Sequence, residues 1–208
     1  MYKIVYKMNK SLFGYGKEKI LKCFYRNRSK EIYFSEILRE TKLTQNTTLK
    51  HLKNLQEQNL IKCTKKIGNT FYKINSKNAE IFSIFSYFDY KRFNELPFER
   101  RNAISEFMNQ IQIKPLIAIV FGSTAKGTFE KTSDIDLLLI YNKKESKDLK
   151  LNKDIKAITG IEIQTFIISL EYFKEQLLKE EDKVVVHAIK TGFVISGHDQ
   201  FYKKVLNE

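Results

Sequence analysis

The chain has 208 residues, room for one ordinary domain or two small ones, and its 42% hydrophobic and 29% charged residues exclude disordered, collagenous and disulfide-built classes. The apolar runs Pro115 to Phe121 and Leu137 to Tyr141 fall far short of the roughly 18 residues of a membrane span, and MYKIVYKMNK lacks the apolar core of a secretory leader, so a cytoplasmic protein with no membrane partner is expected. The net charge of +13 sits almost wholly in residues 1 to 80, where 18 Lys and Arg meet 6 Asp and Glu, against 19 and 18 in the remainder. A basic half joined to a near-neutral half is the pattern of a nucleic-acid-binding module fused to something else. Cys23 and Cys63 are too far apart for a CxxC motif and lack His or Cys neighbours at metal spacing, so buried thiols are expected.

In chain order, Ile20, Leu21 and Phe24 in GKEKILKCFYRN predict a helix, and Glu31 to Phe34 a short strand. Ser35 is placed to cap SEILRET, with Ile37 and Leu38 inward, and Thr44 to cap TQNTTLKHLKNLQEQ, with Leu49, Leu52 and Leu55 as its buried stripe. Then IKCTKK and TFYKIN read as strands joined through Ile67, Gly68 and Asn69, a glycine-containing hairpin loop.

This stretch, SEILRETKLTQNTTLKHLKNLQEQNLIKCTKKIGNTFYKIN, resembles the winged helix-turn-helix of archaeal and bacterial transcription regulators. The resemblance implies that double-stranded DNA is a partner and that the helix from Thr44 enters the major groove. Gln45, Asn46, Thr48, Lys50 and His51 would then lie near bases or phosphates, and Lys65, Lys66 and Asn69 on the wing against the backbone. A protein-interaction role for the same module is the alternative.

From Ser76 to Gln112, Ile81, Ile84, Phe85 and Phe88, then Ile104, Phe107, Met108 and Ile111 after Pro97, predict two amphipathic helices. Their apolar stripes serve either to cover a second domain's sheet or to form a homodimer face, and core packing is the expected role.

The segment PLIAIVFGSTAKGTFEKTSDIDLLLIY carries the chemistry. A strand from Leu116 to Phe121 runs into Gly122 and Ser123, and after ten residues Asp134 and Asp136 follow at strand alternation, projecting to one face among Ile135, Leu137, Leu138, Leu139 and Ile140. Two carboxylates in an apolar strand repel each other and lose hydration, which a divalent cation between them would offset. Gly122 lets the backbone approach a phosphate and starts a helix, while the Ser123 hydroxyl adds a hydrogen bond. The spacing resembles the GSx10DxD signature of the DNA polymerase β nucleotidyltransferase superfamily, and AKG with SDIDLL is most similar to its minimal nucleotidyltransferases. The resemblance implies two Mg²⁺ ions, an NTP substrate (ATP first) and in-line attack by an acceptor hydroxyl on the α-phosphorus. It places metal on Asp134 and Asp136 and phosphate on Gly122 and Ser123, with Lys126 one turn further on within reach.

The superfamily supplies a third carboxylate from a neighbouring strand. Glu162 is the only acid in GIEIQTFIIS, and alternation puts Glu162 and Gln164 on one face. A metal-facing Glu162 favours an enzyme, an outward one a regulator. Beyond it, Leu170, Phe173 and Leu177 predict a helix capped by Ser169, and Val185, Ala188 and Ile189 another ending near Gly192, with His187 and His198 outside any site.

The expected architecture is α+β. A winged helix spans residues 1–76, a helical connector 77–112, and a polymerase-β-type domain with a mixed, helix-flanked sheet 113–208. The resemblance implies NMP transfer, AMP above all, to a macromolecular acceptor such as a HEPN-type toxin, with the chain as antitoxin and its winged helix as autorepressor. The alternative is a transcription regulator whose nucleotidyltransferase fold senses nucleotide or dimerises without catalysis. A templated polymerase or CCA-adding enzyme is disfavoured, because no further domain is available to hold a primer or tRNA.

Overall fold

The computed structural model describes residues 13–28, 30–66, 68–143 and 149–206; the leader reading of MYKIVYKMNK and the loop residue Ile67 lie outside them. The backbone forms two compact units, Met1–Ile84 and Phe85–Glu208. The division therefore falls within the segment expected as a connector.

The first unit runs α1 (Tyr15–Arg26), β1 (Ile32–Tyr33), α2 (Phe34–Thr41), α3 (Gln45–Glu57), β2 (Ile61–Lys66) and β3 (Asn69–Ile74). Its antiparallel sheet has the order β1-β3-β2. Ile20, Leu21 and Phe24 from α1 are fully buried, as are Ile37, Leu52 and Leu55. Thr44 caps α3 as its position predicts, its Oγ1 accepting from Thr47 N–H at 3.3 Å. Helix α2 instead starts at Phe34, one residue before Ser35. The carboxylate of Glu36 accepts from Tyr33 N–H at 3.0 Å, so the N-cap is Tyr33 and Ser35 lies inside the first turn. The buried stripe of α3 is Thr48, Leu52 and Leu55, while Leu49 is 43% exposed. Cys23 is buried, and burial, then the nearby Glu40, pushes its thiol up to about 12. Cys63 is exposed, contrary to expectation, because β2 turns every residue after Ile61 to solvent.

Helix α4 (Glu80–Glu95) spans the division. The second unit continues with α5 (Phe98–Gln110), β4 (Ile117–Phe121), α6 (Gly122–Lys126), β5 (Ile135–Tyr141), α7 (Leu149–Thr159) and β6 (Ile163–Ser169). It closes with α8 (Leu170–Lys179), α9 (Lys183–Thr191), β7 (Phe193–Ser196) and α10 (His198–Val205). The sheet is mixed, in the order β6-β5-β4-β7, with β5 and β6 parallel and the other pairs antiparallel. Strands β4 and β5 are apolar almost throughout because both faces are covered. One face, with Val120, Leu137 and Leu139, packs on Ala103, Ile104 and Phe107 of α5 and Ile155 of α7. The α5 stripe is thus spent on the core rather than on a homodimer face. The strand alternation sends Phe121, Asp136 and Leu138 to the opposite face, where the Phe121 ring meets Phe166 of β6 and His187 of α9. Among the described residues, no helix is long and apolar enough to cross a membrane.

Candidate active site

Strand β4 ends in a turn that only glycine can make. Gly122 has φ 66°, and a Cβ there would stand 1.9 Å from Asp136 Oδ2. The pairing of Phe121 with Asp136 across β4 and β5 puts the carboxylate against that turn. Asp134 lies two residues earlier, on the same face and just outside β5. Both aspartates are half-buried. Burial, and next the charge of Asp134, raises the pKa of Asp136 above the usual carboxylate range. Close like charges, an open glycine turn and oxygen donors are a set suited to a hard divalent cation such as Mg²⁺.

Ser123, the second residue of α6, is half-buried; Lys126, the last residue of that helix, is exposed. Burial and then the Lys126 charge lower the pKa of His187, whose ring stands 6.2 Å from that of Phe121. His198 lies 3.8 Å from the buried Asp89.

Arg100 of α5 is a residue that the sequence reading passed over. It is 3% exposed, and its guanidinium donates to Thr124 Oγ1 at 2.7 Å, Asp134 O at 3.2 Å, Glu130 O at 3.1 Å and Ser133 O at 2.6 Å. It also lies 4.1 Å from the Phe129 ring centroid. One buried cation therefore ties the helix after the glycine turn to the backbone that delivers Asp134. The signal was present: Arg100 is in phase with Ile104, Phe107 and Ile111, a charge on an apolar stripe. Arg92 does a similar job nearby, donating to the carbonyls of Ala125, Thr191 and Gly192 at the ends of α6 and α9.

Glu162 corrects an expectation. It precedes β6, and its carboxylate is 2.6 Å from Lys156 Nζ with its side chain 59% exposed, so it is not brought to the aspartates. Its backbone is held, since Glu162 O accepts from Ile135 N–H at 2.9 Å, but its side chain is engaged by Lys156 of α7. The residue in register with Asp136 is Gln164. With its amide turned to donate, the nitrogen is 3.2 Å from Asp134 Oδ2 and 3.2 Å from Asp136 Oδ1; the oxygen in that place would meet only acceptors. Among the described residues, no group of three His, Cys, Asp or Glu gathers there or elsewhere.

In the first unit, Gln45, Asn46 and Lys50 lie exposed on α3, and Lys65 and Asn69 on the hairpin. Thr48 is corrected: it is fully buried and cannot reach a ligand. His51 is half-buried, and its Nε2 would lie 2.4 Å from a Cβ at Gly16, so the ring packs against α1. Lys66 is exposed but pairs with Glu31 at 2.7 Å, which holds the Glu31 carboxyl below its usual range.

No curated protein matches the chain. A solved structure that it resembles is a crystal structure of a toxin-antitoxin with AMP-PNP, 17% identical, with a TM-score of 0.37 over 51% of this chain and 82% of that one. The nucleotidyltransferase-domain family model matches residues 101–204, from within α5 through both aspartates and into α10. That match takes in half of the sequence, and the chain belongs to the nucleotidyltransferase domain family.

Proposed function

We propose that the protein transfers a nucleoside monophosphate, AMP from ATP, to a macromolecular acceptor, and that its basic first unit is a winged helix that binds double-stranded DNA. The observation that carries the first part is the Asp136 carboxylate seated on the left-handed Gly122 turn beside Asp134. Asp134 and Asp136 would hold magnesium, which supplies charge neutralisation and Lewis acidity to the triphosphate. Gly122 leaves the backbone open to phosphate oxygens, and the Ser123 hydroxyl donates to them. Lys126 adds positive charge from the same short helix. The acceptor that the superfamily resemblance implies is a protein, a partner toxin of HEPN type. The charge of residues 1 to 80 and the helix, helix, hairpin order of the first unit support DNA as its partner. The organisation proposed is then a winged-helix domain at 1–76, a helical connector at 77–112 and a nucleotidyltransferase domain at 113–208.

A second reading is favoured by the outward Glu162: a DNA-binding regulator that binds magnesium and NTP without transfer. One experiment separates the two. Full-length protein, α-labelled ATP, Mg²⁺ and cell extract are incubated together, and label is sought on macromolecules. Transfer predicts a labelled species that Asp134→Ala and Asp136→Ala each abolish. ATP binding without any labelled macromolecule would select the regulator, and transfer retained by the double variant would remove Asp134 and Asp136 from the chemistry.

A further inference from the structure

Strands β5 and β6 run parallel with Asp136 beside Gln164, so the two side chains share a face. Gln164 is exposed, and with its amide turned to donate, its nitrogen stands 3.2 Å from Asp134 Oδ2 and 3.2 Å from Asp136 Oδ1. Glu162, the acid expected there, is held by Lys156. The position facing the carboxylate pair is therefore neutral, and it presents donors.

The geometry points to Gln164 as a positioning residue that makes the site accept a divalent cation only together with nucleotide phosphates: its amide bridges Asp134 and Asp136 when the site is unloaded and turns over to offer Oε1 when a metal–triphosphate arrives. This rests on the reading of Asp134 and Asp136 as the nucleotide site, which both functions above share. An amide NH₂ has two donors and no acceptor, so in the bridging orientation it opposes a cation. Its two hydrogen bonds to carboxylates are charge-assisted, and a cation arriving alone must break them. Two carboxylates and a neutral amide give a formal charge of −2 where a carboxylate triad would give −3. The triphosphate supplies the missing negative charge and oxygen ligands. Rotation about the last side-chain torsion of glutamine, which is broad, exchanges nitrogen for oxygen without moving the backbone. Cation and nucleotide thus raise each other's affinity by one common factor.

Mn²⁺ binding to the full-length protein, followed by electron paramagnetic resonance with and without a non-hydrolysable ATP analogue, tests this without any turnover. Wild type is expected to hold Mn²⁺ at least about tenfold more tightly with the analogue present. Gln164→Glu, of the same size, should tighten binding of free Mn²⁺ at least about tenfold and shrink the coupling to the analogue. Gln164→Leu, which keeps bulk but neither donates nor accepts, should weaken Mn²⁺ binding in the presence of the analogue by about tenfold. If wild type and both variants bind alike in the two conditions, Gln164 has no such role, while the nucleotide site stands. If wild type binds no Mn²⁺ even with the analogue, the reading of Asp134 and Asp136 falls, and this inference falls with it.

Discussion

A side chain at position 122 would occupy the space filled by the Asp136 carboxylate, and it would also have to adopt φ 66°. Gly122→Ala is therefore expected to lower stability by about 1–2 kcal/mol from the left-handed backbone alone, and to weaken Mn²⁺–nucleotide binding by displacing Asp136. Urea denaturation and metal titration read the two effects separately; wild-type values in both would show that the turn tolerates a side chain. Asp136 itself makes a pH prediction. Its folded pKa is raised by burial and by Asp134, so the folded state favours the protonated acid, and the stability this brings is present below the unfolded pKa and lost as pH rises through the folded one. Asp136→Asn should consequently raise the melting temperature of the unloaded protein at neutral pH, and the gain should shrink as pH falls toward the ordinary carboxylate range near ~4. A gain that does not vary with pH would place the Asp136 pKa at its usual value. At this scale the aspartate pair and the glycine turn were legible, because strand alternation and the backbone needs of glycine are local. The choice between Glu162 and Gln164 was not, since it depends on which residue of β6 stands in register with Asp136 and on a lysine from α7.

Helix α5 acts on the site through one side chain, Arg100, and its contribution can be measured as a property of the segment from Thr124 to Asp134. Arg100→Met keeps the apolar stem but removes the donor to Ser133 O, and leaves Glu130 O with only Ser133 N–H and Asp134 O with only the Thr124 hydroxyl at 3.4 Å. A loss of at least about 2 kcal/mol by urea denaturation is expected, since an unsatisfied buried polar group costs about 1–3 kcal/mol; a loss under half a kcal/mol would mean that solvent serves these carbonyls equally well. Element boundaries followed the sequence where a single capping side chain decides them, as at Thr44, and shifted where a carboxylate two residues inside the helix does the work, as with Glu36 at Tyr33. The phase of α3 was misjudged for a geometric reason. At about 100° per residue, Thr48, Leu52 and Leu55 fall within roughly 60° of one another, and Leu49 stands roughly 90° from their centre. Small Thr48 fits inside, and the larger leucine is left facing solvent among Gln45, Asn46 and Lys50.

Across the whole molecule, charge and topology set what remains to be tested. If the first unit binds duplex DNA, full-length protein should lose affinity steeply as salt rises, because each neutralised phosphate releases counterions. Lys65→Ala should flatten that dependence more than Lys66→Ala, since Lys66 is already engaged by Glu31 at 2.7 Å. Binding that is undetectable or indifferent to salt would make the unit a protein-interaction module. Composition pointed to a two-part molecule, but the chain divides at Ile84 and Phe85, inside one continuous helix that apolar periodicity alone could not apportion. The sheet order β6-β5-β4-β7 leaves β6 at an edge, with Gln164 exposed on it. Glutamine and glutamate codons differ only in their first base. On the reading of Asp134 and Asp136 proposed above, a single point mutation would put a third carboxylate at the site, and with it selection could move the protein between nucleotide sensing and nucleotide transfer.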